Sequence, residues 1–277
     1  SDYGHRGMNR SELLALLDEF DIRPTKGRGQ NFLWGEGNFR RIAGCVPPGY
    51  DLAVEIGTGH GGLTEVLAGI VPRVVSFDVD ERLYRLAQKR LAGLDNVELR
   101  LLDFMDADPG EFLGKNAVVV GNLPYNVASR IVVNLVPYGF PMLFLMQKEV
   151  GDRLTAEKST SGYGFFSAYT GYFYHVRRMF VLGPQEFFPA PKIQSSLLRF
   201  SSLGRDHSCA DGFRIFLKEA FACRRKKMVN NFSGLSREAL EKAMAEASIS
   251  VGVRAQELSP EALYLLFTES GRIMAGD

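Results

Sequence analysis

Short stretches of this chain carry residue types that can do chemistry. The first is Glu55-Ile56-Gly57-Thr58-Gly59-His60-Gly61-Gly62, an acid followed by a glycine-rich run. It follows an apolar stretch at 52–56 and opens a helical pattern at 63–68, so it reads as strand, tight turn and helix N-terminus. Glycines in such a turn let the backbone approach a ligand closely. Asp78 ends the next apolar stretch, where a carboxylate can take both hydroxyls of a ribose. Gly57, Gly59 and Gly62 fit G-x-G-x-x-G with an acid about twenty residues on, the dinucleotide fingerprint. The glycine run by itself therefore leaves a nicotinamide cofactor and S-adenosylmethionine both open. Two further features favour the methyl donor. Glu55 stands where a carboxylate can face an amino-bearing ligand, and Asp103, after the third strand, can accept from an adenine amine with Phe104 beside the ring. An acid after each of three successive strands suits a ligand built of an amino acid, a ribose and an adenine. For Asp103 the alternative is a helix cap or a turn residue.

A second stretch, Gly121-Asn122-Leu123-Pro124-Tyr125, ends the fourth strand. In an open α/β sheet that edge is where ligands bind. An adenine exocyclic amine is a poor nucleophile because its lone pair is delocalised into the ring. Two acceptors holding its hydrogens localise the lone pair toward an incoming methyl group. The Asn122 side-chain oxygen and a backbone carbonyl near Leu123 can serve, Pro124 stiffens the loop without adding an N–H, and Tyr125 offers a face for a flipped base. No strong base is required, so rate rests on alignment and preorganisation. A third stretch, Phe187-Phe188-Pro189-Ala190-Pro191-Lys192, is a stiff aromatic loop ending in a cation. Phe187 or Phe188 can cover the other face of the base and Lys192 can meet phosphate, while at least one of the two rings is expected in the core. The fourth, Arg224-Arg225-Lys226-Lys227, is the strongest local basic run, with Arg23, Lys26 and Arg28 as further cations. Four consecutive cations cannot share one helix face. As a phosphate-binding patch the run gives salt-dependent, sequence-independent affinity.

The elements that must position these groups follow an α/β rhythm. Strands are expected at 52–56, 74–77, 97–102, 117–120 and 142–146, with helices at 63–68, 81–91 and 128–135. That alternation predicts a mostly parallel doubly wound sheet. Strands at 178–182 and 195–200 fit an antiparallel edge hairpin. Helices at 211–223, at 236–247 and from Ser259-Pro260 onward predict a small C-terminal α-helical domain, and a short helix at 11–20 takes Ser11 as its N-cap. The expected division is 1–25 for a tag remnant and short helix, 26–203 for the cofactor-binding catalytic domain and 204–277 for the helical domain. Ser1 to Gly7 precede Met8 and read as the remnant, so that the native chain would start at Met8.

Composition narrows the class. The chain has 277 residues, 45% hydrophobic and 23% charged, enough for one good core and a smaller second domain. A net charge of +1 means that any nucleic-acid surface is a local patch. Cys45, Cys209 and Cys223 show no ligand spacing and read as free thiols in a reducing compartment; no metal site is expected. Apolar stretches are strand-sized, well short of a membrane span, and the N-terminus lacks a signal-peptide core, so cytoplasm is the expected location.

Taken in order along the chain, Gln30-Asn31-Phe32-Leu33, the loop from Glu55 to Thr64, Asn122-Leu123-Pro124-Tyr125, Gln147-Lys148-Glu149-Val150 with Tyr163-Gly164, Phe187 to Ser195, and Arg224-Arg225-Lys226-Lys227 with Asn230-Asn231 resemble the motifs of one family. It is the small-subunit ribosomal RNA adenine dimethyltransferases. The resemblance implies a Rossmann-like S-adenosylmethionine-dependent methyltransferase fold. It implies that Asn31, Leu33, Gly57, Asp78, Asp103 and Asn122 line the cofactor site, that Asn122 through Tyr125 hold the target amine, and that Phe187 is the aromatic partner. It also implies the substrate: two adjacent adenosines in the hairpin loop near the 3′ end of 16S rRNA, dimethylated within a maturing small subunit; a monomer is expected. Asp78 departs from the pattern, standing where glutamate is usual, as do Lys227 and Met228 in place of threonine and leucine.

Other readings are weighed against this one. An Erm-like enzyme acting on 23S rRNA shares the chemistry, but the stretches at 147–154 and 163–164 favour the small-subunit group. DNA adenine methyltransferases more often carry Asp or Asn before Pro-Pro-Tyr or Pro-Pro-Trp, where this chain has Leu123. A non-catalytic RNA-binding assembly or transcription factor on the same fold would not need Glu55, Gly57, Gly59, Asp103 and Asn122 intact. A nicotinamide oxidoreductase leaves Asn122 to Tyr125 without a role.

Overall fold

The computed structural model describes residues 9–24, 30–124 and 126–275. Tyr125, Lys26, Arg28 and the segment before Met8 lie outside the described residues. The helix α1 (Arg10–Glu19) is followed by β1 (Phe32–Leu33), α2 (Glu36–Ala43), β2 (Leu52–Ile56), α3 (Gly62–Ala68), β3 (Arg73–Asp78), α4 (Glu81–Arg90), β4 (Val97–Leu101), β5 (Ala117–Asn122), α5 (Ala128–Leu135) and β6 (Met142–Gln147). Then come α6 (Lys148–Leu154), α7 (Phe165–Phe173), β7 (Tyr174–Leu182), β8 (Phe187–Phe188), β9 (Ser195–Ser202), α8 (Ala210–Ala220), α9 (Arg237–Glu246) and α10 (Pro260–Ala275).

Seven strands form one sheet in the order β4-β3-β2-β5-β6-β9-β7. Strands β4 to β6 pair parallel and β9 runs antiparallel to β6, so the expected doubly wound sheet with an antiparallel edge is present. The central strand β2 is buried along its whole length, as a strand covered on both faces must be, and its sequence is apolar apart from Glu55. At the other edge β4 alternates Glu98 and Arg100 with apolar residues, which keeps an open strand edge from pairing with another chain. Helix α4 shows how local sequence sets an element. Asp80 accepts from the Arg82 N–H at 3.0 Å, Glu81 sits in the first turn, Lys89 and Arg90 in the last, and Leu83, Leu86 and Ala87 face inward.

Two expectations about caps and helices are corrected. Helix α1 is capped by Asn9, not Ser11. The Asn9 side chain accepts from Glu12 N at 3.0 Å while the Glu12 carboxylate takes Asn9 N at 2.8 Å, a reciprocal pairing that Ser11 cannot make. Residues 36–43, 148–154 and 165–173 have no element in the sequence reading, yet all three are helices. The first begins at Gly35 without a side-chain cap, and the last buries six of its positions, so neither shows the usual start signal or polar face.

The chain divides into two compact units, Ser1–Gly151 with Arg177–Phe200, and Asp152–Val176 with Ser201–Asp277. The second unit thus takes in 152–176, a stretch the sequence reading gave to the catalytic domain. Its core is aromatic. Phe213 lies within 6.4 Å, ring centre to ring centre, of Tyr169, Tyr172, Tyr264 and Phe267, and Tyr172 stacks on Tyr264 at 3.9 Å. Among the described residues no helix is long and apolar enough to cross a membrane, all three cysteines are free, and no group of three or more His, Cys, Asp or Glu is placed to hold a metal.

Candidate active site

A cavity of about 380 Å³ opens at the carboxyl edge of β2, β3, β4 and β5 within the first unit. Parallel pairing in register sets it there. Ile56 is level with Phe77 and with Gly121, so the chain leaves all three strands at the same height. After β2 the backbone turns through Gly57, Gly59 and Gly61, at φ of 85°, 55° and 83°, values that side chains rarely tolerate. Gly57 N and Thr58 N both donate to the Phe77 carbonyl, which pins the loop to the end of β3.

Asp78 and Asp103 stand on the cavity wall. The Asp78 oxygens accept from Gly59 N at 2.8 Å and from Asp80 N at 2.9 Å. Burial still lifts its carboxyl to about 6, the two backbone bonds opposing. Asp103 is exposed, and its Oδ1 accepts from Met105 N at 2.9 Å, the turn geometry that was the alternative reading of this residue. Phe104 is buried on the same wall, edge-on to Phe77 at 5.3 Å. At the β5 end the wall is made by Asn122, Leu123 and Pro124. Asn122 Nδ2 donates to the Asn31 carbonyl at 3.3 Å, Leu123 N donates to Leu145 O at 2.9 Å, and Pro124 O takes the first N–H groups leading into α5. With its nitrogen held by Asn31, the Asn122 amide presents Oδ1 as its remaining acceptor.

Three proposed site residues stand elsewhere. Glu55 does not line the cavity. Its Oε2 accepts from Thr64 Oγ1 at 2.5 Å and Ser76 Oγ at 2.6 Å, while Oε1 is buried without a partner. Burial raises this carboxyl to about 7, with those two hydroxyls opposing. Alternation along β2 is the reason: neighbouring side chains point to opposite faces, and Glu55 faces α3 and β3 rather than the turn. Leu33 and Phe187 also lie away from the cavity, paired across β1 and β8 and packed in the sheet's hydrophobic core. Phe187 is therefore the core ring of the Phe187-Phe188 pair, and the half-buried Phe188 sits opposite Phe32, which does line the cavity. This two-stranded ribbon joins the Gln30-to-Leu33 and Phe187-to-Lys192 stretches, a pairing with no signal in either segment alone.

The sequence reading missed part of the wall. Val79 and Leu102 are 54% and 40% exposed, large apolar side chains at the ends of β3 and β4 beside the two carboxylates. With Phe104, Met105 and Ile131 they form an apolar face suited to a flat ring. Their signal in the sequence is an apolar residue beyond the end of a strand, next to an acid. The donor set fits S-adenosylmethionine: apolar walls for adenine, Asp78 and Asp103 for hydroxyl and amine donors, and net negative charge toward a cationic sulfur.

The basic run lies in the second unit, in a turn after α8 rather than on a helix. All four cations are exposed, and Arg224 is also engaged, its Nη1 donating to the Tyr163 carbonyl. Asn231 Nδ2 donates to Ala220 O at 2.8 Å and so closes the end of α8.

The family model described as ribosomal RNA adenine dimethylase matches residues 24–270. Proteins named ribosomal RNA small subunit methyltransferase A are similar over most of their length. That of Caldanaerobacter subterraneus subsp. tengcongensis is 32% identical, covering 90% of this chain and all of the relative. That of Rhodococcus opacus is 33% identical over 92% of each. The crystal structure of a dimethyladenosine transferase from Plasmodium falciparum superposes with a TM-score of 0.75 at 20% identity, covering 87% of this chain and 98% of that one. The 23S rRNA methyltransferase ErmE superposes at 0.66 and 23% identity, covering 87% of this chain and all of that one, so both share the fold. With a family model matching residues 24–270 and relatives about one-third identical over nine-tenths of its length, this chain belongs to the ribosomal RNA adenine dimethylase family.

Proposed function

We propose that this enzyme dimethylates the N6 amine of two adjacent adenosines in the 3′-terminal hairpin loop of 16S rRNA, in the maturing small subunit, using S-adenosylmethionine. The observation that carries the reading is Asn122, held by Asn31 and lining the same cavity as Asp78 and Asp103. When bound, S-adenosylmethionine supplies an electrophilic methyl group on a positively charged sulfur. Asn122 Oδ1 and a backbone carbonyl of the Leu123-Pro124 turn accept the two amine hydrogens. The nitrogen lone pair is thereby directed at the methyl carbon instead of into the ring. The product amine carries one proton too many and gives it to water, so no strong base is needed. A second round on the same nitrogen makes the dimethyl product.

Asp78 orients the ribose, Asp103 the adenine amine, and the apolar face at Val79, Leu102 and Phe104 holds the ring. Tyr125 takes the stacking role that its sequence position suggests. Arg225, Lys226 and Lys227 meet RNA phosphate. The enzyme works as a monomer in the cytoplasm and takes no metal. The small-subunit assignment is supported by the relatives' names, over the Erm-like alternative.

The test supplies labelled S-adenosylmethionine with unmethylated small subunits, large subunits or DNA, alongside Asn122→Ala, and reads product nucleosides by mass spectrometry. Dimethyladenosine from small subunits alone, lost in the variant, is the expected result. Label in large subunits moves the enzyme to the Erm-like activity. No transfer with cofactor binding intact leaves an assembly role.

A further inference from the structure

One side chain joins the glycine loop to the segment that holds Asn122, and the reaction described above gives it no role. It is His60, buried at the tip of the loop. Its Nε2 lies 2.9 Å from the Leu33 carbonyl and its Nδ1 lies 3.0 Å from Arg90 Nη1. Arginine is always a donor, so Nδ1 is the acceptor and the ring proton is on Nε2, donating to Leu33 O. The ring is thus neutral. Burial, and then the Arg90 charge, hold it so by pushing its pKa down to about 4. Arg90 is itself fixed, with Nη2 2.6 Å from Glu65 Oε2. Phe39 packs edge-on to the imidazole at 5.5 Å. A Cβ on Gly62 would sit 2.6 Å from His60 Cε1 and 2.7 Å from Phe39 Cε2, so the bare glycine makes the seat for both rings.

Leu33 is two residues from Asn31, whose carbonyl receives the Asn122 amide, and next to Phe32 on the cavity wall. The His60 bond to Leu33 is 2.9 Å, and the same segment is also tied by Gln30 to Asp80 at 3.4 Å and by Asn122 to Asn31 at 3.3 Å. We propose that His60 is a positioning residue for methyl transfer: its Nε2–H latches Leu33 to the glycine loop and so sets the Asn31 carbonyl that orients the Asn122 amide. This rests on the reading of the cavity as the S-adenosylmethionine site.

The test uses the full chain as wild type, His60→Leu and His60→Gln. Binding of S-adenosylhomocysteine is read by calorimetry, and kcat and KM by methylation of unmethylated small subunits. Leucine fills the space without a donor, whereas the glutamine amide places an N–H about where Nε2 lies. His60→Leu is expected to bind about tenfold more weakly with kcat about tenfold lower, and His60→Gln to stay within about threefold of wild type in both. A packing role predicts the reverse order, since leucine suits a buried apolar site better. That order, or wild-type constants in His60→Leu, overturns the latch. Wild-type protein that binds no S-adenosylhomocysteine instead overturns the reading of the cavity. If His60→Leu does not fold, His60→Met is the second variant without a donor and is expected to weaken binding about tenfold; unchanged affinity there overturns the proposal as well.

Discussion

At the scale of single residues, the site separates groups that face the ligand from groups that hold the fold beneath it. On the function proposed above, Asn122 is of the first kind. Replacing it with alanine removes an acceptor aimed at charge that develops only during transfer. Its kcat is expected to fall about 100-fold or more, while S-adenosylhomocysteine affinity changes far less, which steady-state kinetics beside calorimetry will read. Glu55 is of the second kind. Its folded pKa of about 7 exceeds the ordinary value of 4.5 because burial opposes charge. The folded protein then keeps a proton that the unfolded chain gives up. The stability this contributes is fully present below pH 4.5 and is lost as pH rises through about 7. Asp78, lifted to about 6, acts in the same direction. His60, pushed down from 6.5 to about 4, acts in the opposite one, losing its contribution as pH falls through about 4. Glu55→Gln carries no titration, so its melting temperature is expected to decline less than that of wild type between about pH 5 and about pH 8. The effect at stake is roughly 3 kcal/mol at most. Parallel declines would show that Glu55 is already ionised in the folded protein.

At the scale of elements, the parallel register of β2, β3 and β5 makes the site possible, because it brings three chain exits to one height. That register tolerates little bulk where β5 meets β2. A Cβ on Gly121 would lie 2.6 Å from the Ile56 carbonyl, a backbone atom that cannot swing aside. Gly121→Ala is therefore expected to cost about 2 kcal/mol. Urea unfolding would report it as a lower midpoint with an unchanged slope. Two strand ends were legible in the sequence because each closes a mostly apolar run with a polar residue, Asp78 and Asn122, and Asp103 follows the end of β4. The ribbon of β1 and β8 was not, since two-residue strands have no periodicity and their pairing joins segments about 155 residues apart.

At the scale of the molecule, a net charge of +1 leaves RNA binding to local surface. The exposed Arg225, Lys226 and Lys227 are the group to test, whereas Arg224 is bound to Tyr163 and belongs to the fold. Reversing the three exposed charges to glutamate is expected to weaken binding to small-subunit rRNA and to lower the log–log salt slope by about 2 to 3. S-adenosylhomocysteine affinity should not move. An unchanged salt slope would place the phosphate contacts elsewhere.

The sequence by itself determined the alternation of strands and helices, the turn at Gly57 to Gly62, and the acids and Asn122 at the strand ends. Each of these is written in a local pattern: an apolar run, a glycine where φ must be positive, a polar residue where the strand stops. Tertiary structure decided which of those residues reach the cavity. Glu55 and Phe187 carry the right chemistry in the right motifs, yet pleat and pairing turn them into the core. Val79 and Leu102 carry no catalytic chemistry, yet they build the wall, because burial and exposure depend on neighbours far away along the chain. The bond from His60 to Leu33, and the joining of 152–176 to the helices after 201, are of the same sort. No window of sequence contains both partners, so only the folded chain can bring them together.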